Sequence, residues 1–136
     1  MTHTVRDWMS RPVIVVDRDS SVSYAVTLMR RRNIHSLVVD ITKGDPAFGI
    51  ITTTDIRDKI VAAKRNPAET RVREIMSGPI ITAKPDWTLQ ECSEIMQQNH
   101  FHHMPVADES GALIGMISAT DIFIAVEESG WGEKKE

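Results

Sequence analysis

Gly115-Met-Ile-Ser-Ala-Thr-Asp121 occurs in this chain a second time, as Gly49-Ile-Ile-Thr-Thr-Thr-Asp55, and an isoleucine follows each copy, Ile122 or Ile56. The apolar pair after each glycine reads as a buried strand, and the glycine permits a tight turn or a close backbone approach. The hydroxyl residue and the aspartate fall where the strand hands over to a helix that starts near Asp55 or Asp121. One explanation is structural: an aspartate at such a boundary caps the first helical N–H groups. The same Thr or Ser three residues earlier in both copies asks for more than a cap.

The repeat extends outward from there. Val5-Arg-Asp-Trp-Met-Ser-Arg-Pro12 matches Val72-Arg-Glu-Ile-Met-Ser-Gly-Pro79 at an offset of 67, and the offset falls to 66 at the aspartates. The apolar runs Val13 to Val16 and Ile80 to Ala83 predict strands. Helices follow, with Val22, Ala25, Val26 and Met29 on one apolar face and Leu89, Cys92, Ser93 and Met96 on its counterpart. Thr88 with Glu91 predicts a capping box, which Ser21 with Tyr24 lacks. Polar turns at Asn33 and His100 lead into Ile34 to Val39 and Phe101 to Val106, and turns at 40–46 and 107–111 precede the opening motif. Each copy therefore reads β-α-β-β-α, an α/β repeat spanning 5–60 and 72–126, with a linker at 61–71 and a charged tail at 127–136. A unit of roughly 60 residues buries too little surface to be robust alone. The two are expected to pack through their sheets around a pseudo-two-fold axis.

Bulk properties narrow the function. The chain of 136 residues has a net charge of −3, which argues against a dedicated nucleic-acid binder. The run Arg30-Arg31-Arg32 lies at a predicted helix C-terminus, where basic residues oppose the dipole, and reads as a solvated helix end. No apolar run approaches a membrane span, and the N-terminus carries no signal-like segment. One cysteine, Cys92, points to a reducing compartment. The expectation is a soluble, cytoplasmic protein.

The repeated polar groups suggest a nucleotide pocket. An ionised aspartate is acceptor-only and takes two hydroxyl donors at once, which suits the 2′ and 3′ hydroxyls of a ribose. Asp55 and Asp121 have that chemistry, with Thr52 and Ser118 able to donate to a ribose or phosphate oxygen. Helix N–H groups favour an anion. Val13, Ile14 and Val15, with Ile80, Ile81 and Thr82, could sandwich a flat base. His35 and His102 hold matching positions and read either as structural histidines or as phosphate contacts. His100 and His102 share a strand face in this reading and His103 points away. The ligand set of a zinc site is missing, so no metal is expected. Met9, Met29, Met76 and Met96 read as packing. Trp8, Trp87 and Trp131 are not repeat partners, and Trp8 reads as core padding or as a partner-facing residue.

On Met-Ser-x-Pro at each repeat start, the His-containing strand ending in Val, and Gly-x-x-Thr/Ser-x-x-Asp at each repeat end, the chain resembles a tandem pair of cystathionine β-synthase (CBS) domains, a Bateman module, over about residues 5 to 126. The resemblance implies sheet-packed repeats, often paired again into a dimer, that bind adenine nucleotides, S-adenosylmethionine or other adenosyl ligands. It implies ribose contacts at Asp55 and Asp121 beside Thr52 and Ser118. His35 and His102 match phosphate-contacting positions in the gamma subunit of the AMP-activated protein kinase, and Thr54 and Thr120 match another. It further implies that Asp55 shares a pocket with His102 and His103, and Asp121 with His35 and Ser36. Val38 departs from the proline present as Pro105. Histidine or serine stands where related phosphate sites carry arginine, so a monophosphate is better served than a triphosphate, and the Asp55 site is expected to be the better equipped.

The leading expectation is a stand-alone regulatory module that binds an adenine nucleotide, or S-adenosylmethionine, between its repeats and signals as a homodimer to a separate effector protein. The alternative is a ligand-free dimerisation scaffold. No activated nucleophile, Gly-rich phosphate loop or acid–base pair argues for an enzyme.

Overall fold

The computed structural model describes residues 3–11, 13–40 and 48–130. The elements are α1 (Val5–Trp8), β1 (Val15–Asp17), α2 (Val22–Arg32), β2 (Ser36–Asp40), β3 (Phe48–Thr52), α3 (Thr53–Ile56), β4 (Ser77–Ile80), α4 (Leu89–Asn99), β5 (His103–Ala107), β6 (Leu113–Ser118) and α5 (Ala119–Ser129). A π-helical turn, Arg57–Val61, continues α3, and a 3-10 turn, Val72–Glu74, precedes β4. The fold is mixed α/β with two repeats.

The chain divides into two compact units, Ile14–Ile81 and Met1–Val13 with Thr82–Glu136. These boundaries do not follow the repeat boundaries. The lead-in of each copy is built into the body of the other: Val72 to Ile80 belongs with β1 to α3, and Thr4 to Ser10 belongs with α4 to α5. Three pairs of backbone contacts show the exchange. Ser21 bridges Arg71 as Thr88 bridges Thr4. Ser77 pairs with Ile50 as Ser10 pairs with Met116. Val72 N–H donates to Ser20 O at 2.8 Å as Val5 N–H donates to Trp87 O at 2.9 Å.

In the Ile14–Ile81 unit the sheet order is β1-β2-β3-β4. β2 pairs parallel with β1 and antiparallel with β3, so Leu37, Val38 and Val39 are buried on both faces, as a central strand requires. Helix α2 begins where Ser21 Oγ accepts the Tyr24 N–H and ends at Asn33, in the left-handed region at φ 54°. Arg30, Arg31 and Arg32 are exposed at that end, as read from the sequence. Val22, Ala25 and Met29 face the core with Leu37, Val39, Ile51 and Ile75, whereas Val26 is exposed.

In the other unit β5 and β6 form an antiparallel pair, and the first strand expected at Ile80 to Ala83 is reduced to one bridge, Ala83 to Val106. The reason is Pro105. In the first copy the Val38 N–H donates to Ile14 O at 3.1 Å, and a proline at the matching position has no N–H to donate. Ile80 instead ends β4, opposite Phe48. The predicted capping box opens α4, where Thr88 Oγ1 accepts the Glu91 N–H and Glu91 accepts the Thr88 N–H. Leu89, Cys92 and Met96 are buried with Val5, Met104, Val106 and Ile117, and Ser93 is only half-buried. Helix α5 runs through Glu127 and Glu128 to Ser129, with Gly130 in the left-handed region. Of the expected features, the turn at 41–46, Pro12 of the first Met-Ser-x-Pro and the tail from Trp131 lie outside the described residues.

Candidate functional site

The two aspartates are not N-caps. Helices α3 and α5 start two residues earlier than the sequence suggested, and the caps are Thr52 and Ser118. Each aspartate is the third helical residue of a capping box. Asp55 N–H donates to Thr52 Oγ1 at 3.2 Å, and Asp55 Oδ2 accepts the Thr52 N–H at 2.9 Å and its hydroxyl at 3.1 Å. In the other copy Asp121 N–H donates to Ser118 Oγ at 3.2 Å, while Asp121 Oδ2 accepts the Ser118 N–H at 2.9 Å and hydroxyl at 3.0 Å. The cap uses one carboxylate oxygen and leaves the other. Capping and ligand binding are therefore compatible roles, because a carboxylate has about four lone-pair directions.

The remaining oxygen separates the copies. Asp55 Oδ1 lies 3.1 Å from Lys59 Nζ, and the same ammonium donates to Ile75 O at 2.9 Å. Asp121 Oδ1 accepts from the Ser10 hydroxyl at 3.2 Å. Asp55 is 8% exposed, whereas Asp121 is half-buried. Sequence reading missed both partners. Lys59 lies at i+4 from Asp55, a legible helical spacing, and Ser10 sits in the repeated Met-Ser-x-Pro.

The strand register gathers further candidates. Ser36 pairs with Thr52, and His103 pairs with Ser118. His35 O accepts the Thr53 N–H and His102 O accepts the Ala119 N–H, each at 3.0 Å, so both histidines border a helix start in their own unit. Both are exposed, as are Thr54 and Thr120 in the first helical turns. His100 is not on the strand: it is the left-handed C-cap of α4, at φ 59°. Of the base-lining candidates, Val13, Ile14 and Thr82 are half-buried and Ile81 is exposed, but Ile80 is buried within β4.

A hollow of about 1030 Å³ lies elsewhere, at the turn end of the β5–β6 hairpin, lined in part by Arg6, Asp86, Trp87, Glu91 and Asp108. None of the predicted site residues lines it. Its polar groups serve the local fold: Arg6 pairs with Asp86 at 3.2 Å, and Glu91 completes the α4 capping box. Hydrogen bonds from the Ser110 hydroxyl and then the Ala112 N–H hold the Asp108 carboxyl below its ordinary value. Among the described residues no three metal-ligating side chains are grouped, and no helix is long and apolar enough to cross a membrane.

The family model of the CBS domain matches residues 5–62 and again 72–128. The chain belongs to the CBS domain family. It is a tandem CBS pair, and its two matches coincide with the two copies of the repeat. The chain is similar to a candidate signal-transduction protein with CBS domains from Burkholderia ambifaria MC40-6, at 30% identity and a TM-score of 0.77 over 98% of each chain. A hexameric CBS-CP12 protein from bloom-forming cyanobacteria gives a TM-score of 0.88 at 26% identity, over 98% of this chain and 74% of that one. Curated relatives are longer. The chain spans 47% of an uncharacterized protein of Methanopyrus kandleri, which is 37% identical over 94 residues, 69% of this CBS pair. It spans 23% of a homoserine O-acetyltransferase of Methanosalsum zhilinae, 34% identical over 119 residues, 88% of this CBS pair.

Proposed function

We propose that this CBS pair is a regulatory module that binds an adenosyl ligand, an AMP-like nucleotide or S-adenosylmethionine, and passes the binding event to an effector. The observation that carries the reading is the divided carboxylate of Asp121. One oxygen of this half-buried residue holds the helix cap, and the other has the neutral Ser10 hydroxyl as its partner among the described residues. A vicinal diol matches an acceptor of that kind. The exposed Thr120 hydroxyl stands one residue before it, in the first turn of α5, where N–H groups favour an anion. The likeness to a candidate signal-transduction CBS protein supports a regulatory rather than a catalytic role. The ligand acts on an effector only by binding one of its arrangements more tightly than another.

A thermal-shift panel with AMP, ADP, ATP, S-adenosylmethionine and GTP tests the reading. A ligand in hundredfold excess over its Kd adds about 2.7 kcal/mol of stability. The adenosyl compounds are expected to raise the melting temperature of the wild type and not of the Asp55→Ala/Asp121→Ala double variant. A flat panel would leave the two aspartates as capping residues alone.

A second reading, self-association through α5, is favoured by Phe123, Ile124 and Val126, which are 67%, 36% and 44% exposed. The matching positions of the first copy hold Arg57, Asp58 and Ile60, a charged pair and a buried residue. The hexameric cyanobacterial relative supports assembly of copies. Sedimentation of wild type against Phe123→Glu tests it: an oligomer that the variant dissociates supports the reading, and a monomeric wild type ends it.

A further inference from the structure

The two copies repeat the capping box nearly atom for atom, yet they differ in what faces the second carboxylate oxygen. From this difference we infer that the CBS pair takes one adenosyl ligand per chain, at Asp121, because Lys59 already occupies the diol-accepting oxygen of Asp55. The inference rests on the ligand reading above and goes beyond it by assigning the site and the residue that closes its twin.

Lys59 Nζ has two partners, Asp55 Oδ1 at 3.1 Å and Ile75 O at 2.9 Å, on a side chain that is 45% exposed. The first is a charge-assisted contact to a carboxylate that is almost wholly buried. Two ribose hydroxyls can reach that oxygen only if the ammonium leaves. The exchange would replace a charge-assisted bond with neutral ones and detach Lys59 from Ile75 O as well. In the second copy the position matching Lys59 is Ala125, a buried methyl group that pairs with nothing. There the only described partner of Asp121 Oδ1 is the Ser10 hydroxyl at 3.2 Å. That hydroxyl is neutral, and its O–H rotates to suit a newcomer, which sets it apart from the charged Lys59 rather than any difference in exposure. A diol therefore meets an open acceptor at Asp121 and a closed one at Asp55. This reverses the ranking of the two sites expected from the sequence.

The test is equilibrium dialysis of labelled AMP, and separately of labelled S-adenosylmethionine, against wild type, Asp55→Asn, Asp121→Asn and Lys59→Met. Asparagine keeps an oxygen for the cap, and methionine keeps the length of the lysine stem without its charge. Circular dichroism confirms that each variant is folded. Wild type is expected to bind one ligand per chain. Asp121→Asn is expected to weaken binding at least tenfold, Asp55→Asn to leave it within twofold, and Lys59→Met to raise the stoichiometry to two. Two ligands on wild type, or one that Asp55→Asn abolishes and Asp121→Asn spares, would overturn the assignment while leaving the ligand reading intact. Should Lys59→Met not fold, the two asparagine variants decide the matter by themselves. Wild type that binds neither compound would remove the ligand reading, and this inference with it.

Discussion

The Ser10 hydroxyl donates to Asp121 Oδ1 at 3.2 Å across 111 positions of sequence. This bond joins the opening motif of the first copy to the closing motif of the second. It exists because the lead-in of each copy is built into the other copy's unit, where Ser10 pairs with Met116 of β6. Met9 and Ser10 of the opening motif and the Gly115–Asp121 motif, far apart in the chain, are thus neighbours in space.

The capping boxes set the first energetic expectation. Replacing an N-cap hydroxyl residue with alanine costs about 1 kcal/mol, within a range of roughly 0.5–2. Thr52→Ala and Ser118→Ala are both expected to fall in that range in urea denaturation. Thr52→Ala should cost more, because Asp55 is the more buried carboxylate and loses a hydrogen-bond donor. Equal costs, or the reverse order, would show that burial of the aspartate does not set the penalty.

The motif glycines answer to packing. A Cβ on Gly115 would lie 2.6 Å from Met9 Sδ and 3.1 Å from Ser10 O, and one on Gly49 would lie 2.7 Å from Met76 Sδ and 3.2 Å from Ser77 O. Each glycine therefore admits the lead-in of the other copy. Gly115→Ala is expected to destabilise by about 1–3 kcal/mol, the usual range for overpacking. In a Met9→Ala background the cost of the same change should shrink by roughly 1 kcal/mol, since the sulfur it strikes is gone. A double-mutant cycle by chemical denaturation measures the coupling. Strict additivity would separate Gly115 from Met9.

Cys92 makes stability depend on alkaline pH. The side chain is fully buried beside Met96, and burial pushes the thiol up to about 11 from an ordinary 9.0. Below pH 9 both folded and unfolded chains keep the proton, and the contribution is whole. As pH rises from 9 toward 11 only the unfolded thiol ionises, so stability falls by about 1.4 kcal/mol per unit. Cys92→Ala should lose less stability than wild type across that interval in parallel denaturation series. In the native protein at pH 8 the thiol should resist a disulfide reagent and react once the chain is unfolded. Rapid native labelling would contradict the protected thiol.

Much of this molecule was legible from local chemistry. The repeat is plain from matching the chain to itself, and the helices ended by Asn33 and His100, the Thr88–Glu91 box and the apolar faces of α2 and α4 rest on contacts three or four residues apart, which spacing encodes directly. Local reading also found the hydroxyl and the aspartate of each closing motif, although it placed the helix start on the aspartate rather than on Thr52 or Ser118. Strand order was less legible. Whether Ile80 to Ala83 forms a strand depended on the missing N–H of Pro105, a residue more than twenty positions away.

What only the tertiary structure decided is the partner of each free carboxylate oxygen. The two closing motifs taken alone make Asp55 and Asp121 look equivalent, since they differ in little but side-chain size, and the resemblance ranked Asp55 first only on the histidines it assigned to that site. In the folded chain Lys59 reaches Asp55 while held by Ile75, a residue of the other copy's lead-in, and Ser10 reaches Asp121 from the first copy's lead-in. Local hydrogen bonds fix a cap wherever the right residues stand three apart. Lys59 stands at a local i+4 spacing from Asp55, but its second contact with Ile75 and the approach of Ser10 to Asp121 come from long-range packing, which no local pattern records.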